Sequence, residues 1–179
     1  MINRMFFVAL LTMAGVCCGF AQYPAPLEVC EKEKAFIEIF LSDPNQQRTN
    51  PRFDTTLHRI AREKAMEMAQ RRYFGHTSPD GIGPNHLLRE AGYGLPDHYG
   101  KALDANNVES LSGGRSSAAG AYEGWMQSPA GHRKHVLGEI DFWRKQTRFG
   151  IGYYYDPRSP YTHYWVFISA PPATLPSNL

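Results

Sequence analysis

The chain has 179 residues, of which 20% are charged, and 19 basic side chains against 17 acidic ones give a formal net charge of +2. This near balance, without a run of lysine or arginine, excludes the electrostatic footprint of a nucleic-acid-binding protein or of a membrane-surface patch. The length suits one domain with a hydrophobic core, and we expect a monomer.

The first residues predict an export signal. Arg4 supplies a positive charge, and residues 5–16 form an apolar run that is too short to span a bilayer but suits a signal peptide. Small residues precede a cleavage site after about Ala21, so we expect a secreted protein with no transmembrane segment in the mature chain. The alternatives are an N-terminal membrane anchor and a lipoprotein attached through Cys17 or Cys18, although the residues before Cys17 make a poor lipobox.

Removal of residues 1–21 would leave Cys30 as the last of the three cysteines. The mature chain would then have no intramolecular disulfide, and its fold would depend on the hydrophobic core alone. We expect Cys30 to be an ordinary thiol on a helix face rather than a link between two chains.

Helices are predicted over the first three-quarters of the chain. Helical spacing of Leu27, Cys30, Lys34, Ile37 and Leu41 predicts a first helix over residues 27–41. A second helix is predicted from Asp54 or Thr55 to about Arg72, a short third from Pro84 to Gly92, a fourth from Ser116 or Ser117 to Pro129, and a further turn of helix that carries His132, Val136 and Leu137.

The last quarter of the chain has the pattern of strands. Phe149, Ile151 and Tyr153 alternate with glycines, and Tyr164–Ser169 form a second alternating run beyond a loop at residues 156–160. This pattern predicts a β-hairpin, and helices followed by strands predict an α+β fold. We expect residues 171–179 to be a flexible tail.

Two histidine-bearing motifs bracket a glutamate. The first covers residues 73–81 (YFGHTSPDG) and carries His76, the second covers residues 124–133 (GWMQSPAGHR) and carries His132, and Glu109 lies between them. Two imidazoles and a carboxylate on turn-rich segments could converge on one cleft, where they could bind a metal or a polar ligand or perform acid–base chemistry.

These motifs, together with the helix at residues 57–68 and the strands at 149–152 and 164–166, resemble the CAP superfamily of cysteine-rich secretory proteins, antigen 5 and pathogenesis-related proteins. The match is best with its secreted bacterial branch, also called the SCP domain. The resemblance implies a three-layer α-β-α sandwich with an antiparallel sheet, a C-terminal hairpin and one open cleft. We place this domain at residues 33–170, after the signal at 1–21 and a lead-in at 22–32.

The resemblance also assigns the site. His76 and His132 match the two cleft histidines of the family, and Glu109 matches one of its two glutamates. The second glutamate would fall on Ser128, so the full set of four is not present, and Glu123 lies one turn away as a substitute. His76 and His132 could hold a metal, most simply Zn²⁺, but no cofactor is required. The alternative is that both histidines only hold loops in shape.

No sequence signature of catalysis supports an enzyme, since Gly-x-Ser-x-Gly and His-Glu-x-x-His are absent from the sequence. We therefore expect a secreted ligand-binding or interaction module. Its partner, as the resemblance implies, is a small apolar ligand, a glycan or another envelope component. The alternatives are a metal-assisted hydrolase of envelope peptides or glycans, with Glu109 or a cleft histidine as general base, and a purely structural envelope protein.

We expect the remaining histidines to lie outside the site. The stretch from His132 to His135 (HRKH) is typical of a solvated basic turn, although the three-residue spacing could place both imidazoles on one helical face. We expect His58 to face solvent or cap a neighbour, His98 to lie on a surface loop, and His163 to begin the last strand.

Overall fold

The structure is a computed structural model that describes residues 28–174. The predicted signal peptide, its cleavage point at Ala21, the cysteines at 17 and 18 and the end of the predicted tail lie outside the described residues. No helix within residues 28–174 is long and apolar enough to cross a membrane.

The described chain folds into six α-helices, one 3₁₀ turn and four strands. In chain order they are α1 (Glu31–Ser42), β1 (Arg52–Phe53), α2 (Thr55–Gln70), α3 (Pro84–Glu90), a 3₁₀ turn (Asp97–Tyr99), β2 (Glu109–Gly113), α4 (Ala118–Met126), α5 (His132–Leu137), α6 (Asp141–Arg144), β3 (Arg148–Tyr155) and β4 (His163–Ala170).

The four strands form one sheet in the order β1-β3-β4-β2. β3 and β4 are the predicted C-terminal hairpin, with Ile151 opposite Phe167, and β2 pairs antiparallel with the other edge of β4. The antiparallel prediction is correct for these three strands. The two-residue β1, which the sequence analysis missed, adds a short parallel pair to β3.

The alternation along β4 separates two cores. Tyr164, Val166 and Ile168 pack with α2 and α3 on one face of the sheet, whereas Trp165 and Phe167 pack with α1, α4 and α5 on the other. Each face buries apolar side chains against a helical layer, which confirms the predicted α-β-α sandwich.

Two glycines of β3 set the distance between the sheet and α2. A Cβ atom at Gly150 would lie 2.2 Å from the backbone nitrogen of His58, and one at Gly152 would lie 2.2 Å from the carbonyl carbon of Ala61. Since both contacts are with helix backbone, only glycine allows this approach. The glycines that alternate along β3 therefore form the surface of the sheet against which α2 packs.

The first helix differs from its prediction. It begins at Glu31, within the segment predicted as a lead-in, and Cys30 is its N-cap residue rather than a thiol on its face. The buried stripe runs through Phe36 and Phe40, while Leu41 is 49% exposed. Both phenylalanines are fully buried against the sheet, so theirs is the face of the helix that packs on it.

Side-chain hydrogen bonds cap the N-termini of two helices next to the site, α2 and α4. Asp54 accepts from the backbone nitrogens of Thr56 and Leu57 and begins α2, as predicted, and Ser117 accepts from Gly120 and begins α4. β2 and α6 were not predicted. The sequence of β2, Glu-Ser-Leu-Ser-Gly, is too short and too polar to show the strand alternation.

Candidate functional site

A pocket of about 150 Å³ lies at the free edge of β2, between the two helical layers. Side chains from both layers and from the strand edge meet there, because Glu109 and its neighbour Ser110 point to opposite faces of the sheet. The pocket is lined by His76, Asn106, Asn107, Glu109, Ser110, Ala130, Gly131, His132, His135 and Trp143. The structure thus brings His76, Glu109 and His132 together in one pocket.

His76 and Glu109 form a direct pair. The Nδ1 atom of His76 lies 2.8 Å from Oε1 of Glu109, and because a carboxylate oxygen only accepts, Nδ1 carries the proton. The Nε2 atom of His76 makes no hydrogen bond with residues 28–174, and the side chain is 38% exposed. Glu109 therefore orients the ring and leaves Nε2 as the reactive nitrogen.

Glu109 is almost completely buried, and its Oε2 atom has no hydrogen-bond partner within the described chain. Burial raises the pKa of Glu109 above its ordinary value, whereas the hydrogen bond from His76 and the charge of Lys64 lower it. The carboxyl group is therefore easier to protonate than an exposed glutamate.

Lys64 of α2 binds the backbone of the loop that carries His76. It is only 2% exposed, and its ammonium group donates to the carbonyl of His76 at 2.9 Å and to the hydroxyl of Tyr73 at 2.8 Å. Tyr73 in turn donates to Glu67 at 2.6 Å. Burial lowers the pKa of Lys64, while the charge of Glu109 raises it. No pattern in the sequence indicates this role of Lys64.

His132 is supported by Ser128. Its Nδ1 atom lies 2.8 Å from Oγ of Ser128, in the loop before α5, and its Nε2 atom has no hydrogen bond with residues 28–174. Burial and then the charge of His76 lower the pKa of His132. Ser128 thus stands behind the imidazole rather than in the pocket lining.

Glu123 does not enter the site. It is exposed on the outer side of α4 and accepts from Gln127 at 2.9 Å. The expectation that Glu123 could replace the missing second glutamate is therefore wrong, because the inner side of α4 is occupied by Tyr122 and Trp125.

His135 is buried at the back of the pocket, so the prediction of a solvated turn is wrong. Its Nδ1 atom lies 2.7 Å from Oγ of Ser110, and its Nε2 atom lies 2.9 Å from Oγ of Ser169. Since Ser169 donates its own proton to Gln146 at 2.6 Å, Nε2 of His135 must be the donor and Nδ1 the acceptor. The three-residue spacing from His132 was the one sequence signal for this position.

Arg48 lies behind His135 and is 4% exposed. It donates to the carbonyls of His135 and Val136 at 2.6 Å and of Gln146 at 2.8 Å, and no carboxylate of the described chain lies within 4 Å of it. Burial lowers the pKa of Arg48 to about 10. The carbonyls at the C-terminal end of α5 therefore accept hydrogen bonds from a positively charged guanidinium group. This stabilises the short helix that carries His132 and His135.

The remaining histidines lie outside the pocket. His98 is exposed and His163 is the first residue of β4, as predicted. His58 is buried, so the solvent-facing alternative was wrong; its Nδ1 atom donates to the carbonyl of Ile151 at 2.5 Å. It caps the edge of β3 beyond the end of β1.

Within residues 28–174, no group of three or more His, Cys, Asp or Glu side chains is placed to hold a metal ion. Glu109 bonds to the inner nitrogen of His76 instead of pointing with it at a common centre. The expected set of two imidazoles and one carboxylate is thereby reduced to two Nε2 atoms, with Glu109 and Ser128 as supporting groups.

Comparison with known proteins agrees with this architecture. The family described as "CAP: Cysteine-rich secretory protein family" matches residues 48–169, which is more than half of the chain. The chain belongs to this family. The CAP domain is 29% identical over 130 residues to the uncharacterized protein YkwD of Bacillus subtilis (strain 168), an alignment that covers 72% of this chain but 45% of that protein.

Two solved structures share the fold. An outer surface protein from Borrelia burgdorferi superimposes with a TM-score of 0.58 at 18% identity, covering 82% of this chain and 96% of that one. An extracellular protein containing an SCP domain from Bacillus anthracis str. Ames gives a TM-score of 0.56 at 20% identity, covering 76% of this chain and 40% of that one. At these identities the likeness concerns the CAP fold alone.

Proposed function

We propose that this CAP domain is an extracytoplasmic ligand-binding module whose pocket binds a small polar ligand through His76 and His132. Two of its structural neighbours are described as an outer surface protein and an extracellular protein. The sequence of residues 1–21, with its short apolar run and small residues before Ala21, supports the same location.

The observation that carries the proposal is the orientation of two imidazoles from opposite helical layers. The inner nitrogen of His76 is bound by Glu109 and that of His132 by Ser128, each at 2.8 Å. Both outer nitrogens are left without a partner in the described chain. Side chains held in this way need little reordering when a ligand binds, which favours affinity.

A metal ion is one ligand that this pair could hold. An imidazole whose inner N–H is bound by a carboxylate is a common metal ligand, and this describes His76. His132 would have to direct its inner N–H at Ser128, and water would complete the coordination of Zn²⁺. A bound Zn²⁺ would act there as a Lewis acid.

Imidazole NMR signals of the purified protein provide the test. The probes are Zn²⁺, soluble peptidoglycan fragments and a short-chain fatty acid, added one at a time. We expect at least one of them to shift the signals of both His76 and His132, and to lose affinity in the His76→Ala/His132→Ala double variant. His98→Ala is the matched control, since His98 is an exposed imidazole outside the pocket. If no probe moves either signal, the pocket is not a binding site for these classes.

The pair of Glu109 and His76 favours a hydrolase as the second candidate. A carboxylate that fixes the tautomer of an imidazole and leaves the other nitrogen free is the arrangement of a general base. In this reading His76 takes a proton from water and Glu109 stabilises the resulting imidazolium. Turnover of peptidoglycan or peptides that disappears in Glu109→Gln would support it, whereas absence of turnover with and without Zn²⁺ would contradict it.

A further inference from the structure

A second concave surface lies between the 3₁₀ turn and α6, apart from the pocket of His76 and His132. It is an open groove of about 400 Å³, within the range of about 300–1,000 Å³ that is usual for sites of small ligands. We call it the aromatic groove, and it is lined by Pro96, His98, Tyr99, Phe142, Lys145 and Pro171. None of these six residues lines the pocket at the edge of β2.

Rings from two segments form the wall of the aromatic groove. The ring centroids of Tyr99 and Phe142 lie 4.8 Å apart, and the imidazole of His98 is nearly perpendicular to the ring of Phe142, at 82° and 6.2 Å. Tyr99 is also held from the protein interior, because its hydroxyl accepts from the side-chain amide of Gln146 at 3.2 Å. Such a wall favours an aromatic ligand, since two rings in offset or edge-to-face contact gain more than the area that they bury.

Lys145 is the charged residue among the six that line the aromatic groove. Its ammonium group has no hydrogen-bond or ion-pair partner among residues 28–174. The carboxylates of the two segments that form the groove are engaged elsewhere, since Asp97 pairs with Lys101 at 2.9 Å and Asp141 with Arg144 at 2.6 Å. A negatively charged ligand therefore meets a cation that no acidic side chain of these segments neutralises.

The spacing of the ring and the charge indicates the shape of the ligand. Lys145 is the C-cap residue of α6, in helical backbone geometry, and follows Phe142 by three residues, so the two side chains are neighbours on one side of the helix. A ligand ring on Phe142 would bring a carboxylate on a short side chain within reach of the ammonium group. The methylene groups of Lys145 can pack along the same ring while the charge stays in water.

From these observations we propose that the aromatic groove is a second binding site, whose ligand is an aromatic carboxylate with its ring against Tyr99 and Phe142 and its charge beside Lys145. The inference goes beyond the proposed function, because it concerns other residues and does not require a ligand at His76 and His132. The ligand is a free aromatic acid or the C-terminal aromatic residue of a peptide, since both present the same ring and the same charge.

The test is an NMR titration of the purified protein with phenylacetate, its amide phenylacetamide and its saturated analogue cyclohexylacetate at millimolar concentrations. We expect phenylacetate to shift the signals of His98, Tyr99 and Phe142 together. The amide should bind about twofold to fivefold more weakly, as expected for the loss of one exposed ion pair, and the saturated acid about twofold or more, because it lacks the contact between rings. A peptide that ends in a free phenylalanine carboxylate and binds more tightly than phenylacetate would identify a peptide end, and weaker binding would identify a free acid.

Lys145→Met is the decisive variant, because it removes the charge and keeps most of the apolar stem. It should weaken binding of phenylacetate about twofold to fivefold and leave binding of phenylacetamide unchanged. Lys134→Met is the matched control, since Lys134 is an exposed lysine of α5 outside the aromatic groove, and it should change neither affinity.

Two results would overturn the proposal. If phenylacetate shifts none of the signals of His98, Tyr99 and Phe142, the aromatic groove is not a binding site for this class. If phenylacetate and its amide bind equally well, or if Lys145→Met weakens both alike, the carboxylate does not pair with Lys145. Neither result bears on the proposed function, which is measured on the signals of His76 and His132.

Discussion

Replacing Gly152 with alanine should destabilise the protein through the contact between β3 and α2. The added Cβ would lie 2.2 Å from the carbonyl carbon of Ala61 and 2.2 Å from the nitrogen of Arg62. Carbon atoms in contact are about 3.5–4.0 Å apart, so α2 must retreat by roughly 1.3 Å or the strand must bend away from it. Neither neighbour is a flexible side chain that could turn aside.

The cost of such overpacking is about 1–3 kcal/mol, out of a total stability of about 5–15 kcal/mol. Urea unfolding followed by circular dichroism measures it. With a slope of about 2 kcal/mol per M, a loss of about 2 kcal/mol lowers the midpoint by about 1 M at unchanged slope. Because Lys64 on α2 holds the carbonyl of His76, the retreat of the helix should also weaken binding at the pocket.

Gly124→Ala is the matched control. Its added Cβ would meet Arg115 at an ordinary 3.6 Å inside α4, where alanine favours a helix over glycine by roughly 0.5–1 kcal/mol. The control should therefore raise the midpoint while Gly152→Ala lowers it. If Gly152→Ala were as stable as the unmodified protein, the close approach of α2 to the sheet would be refuted.

Three further predictions concern the groups behind the pocket. Arg48→Met removes the donor to the buried carbonyl of Gln146 and the stronger of two donors to those of His135 and Val136, so it should lower the free energy of unfolding by about 1–3 kcal/mol. Arg59→Met, which removes an exposed ion pair, should change it by about 0.5 kcal/mol or less in the same urea experiment. Lys64→Met removes the donor to the carbonyl of His76 and should weaken binding of whichever probe shifts that imidazole by roughly tenfold, and unchanged affinity would contradict its role. Burial holds the pKa of His135 well below its ordinary 6.5, so the unfolded chain takes up this proton first and the stability that neutral His135 contributes above pH 6.5 is lost as the pH falls below it, by up to about 1.4 kcal/mol per pH unit. His135→Gln should flatten that part of the measured stability curve.

Sequence patterns predict the parts of the fold in which neighbouring residues alone determine the secondary structure. The alternation of Phe149 and Ile151 with glycines gives both the strand and its tight packing, and Asp54 followed by an apolar stripe gives α2. The patterns fail where burial depends on partners far away in the chain. His58 and His135 are polar and have charged neighbours in the sequence, which favours an exposed position. They are nevertheless buried, because the carbonyl of Ile151 and the hydroxyl of Ser169 supply hydrogen bonds to their rings.

The sequence motifs indicate some of the side chains that line the pocket, but not the hydrogen bonds that those side chains make. The motifs located His76, Glu109 and His132, while their spacing carries no information on which nitrogen faces the pocket. That follows from the hydrogen bond between Ser128 and His132 and from the register of β2, neither of which a single sequence displays. Glu123 failed as a candidate because α4 turns it outward, toward Gln127.

The register of β2 explains how one short strand serves both layers of the site. Glu109 lies opposite Ile168 and reaches His76 on the side of α2, while Ser110 lies opposite Phe167 and reaches His135 on the side of α5.

A slip of one residue would exchange these two faces, placing the carboxylate against the buried imidazole and the hydroxyl against the open one. The register is held by Leu111, whose side chain is buried among the residues that pack with α2 and whose carbonyl accepts from the indole of Trp125 at 2.8 Å. The tautomers of the pocket histidines therefore depend on a packing contact of the strand that separates them.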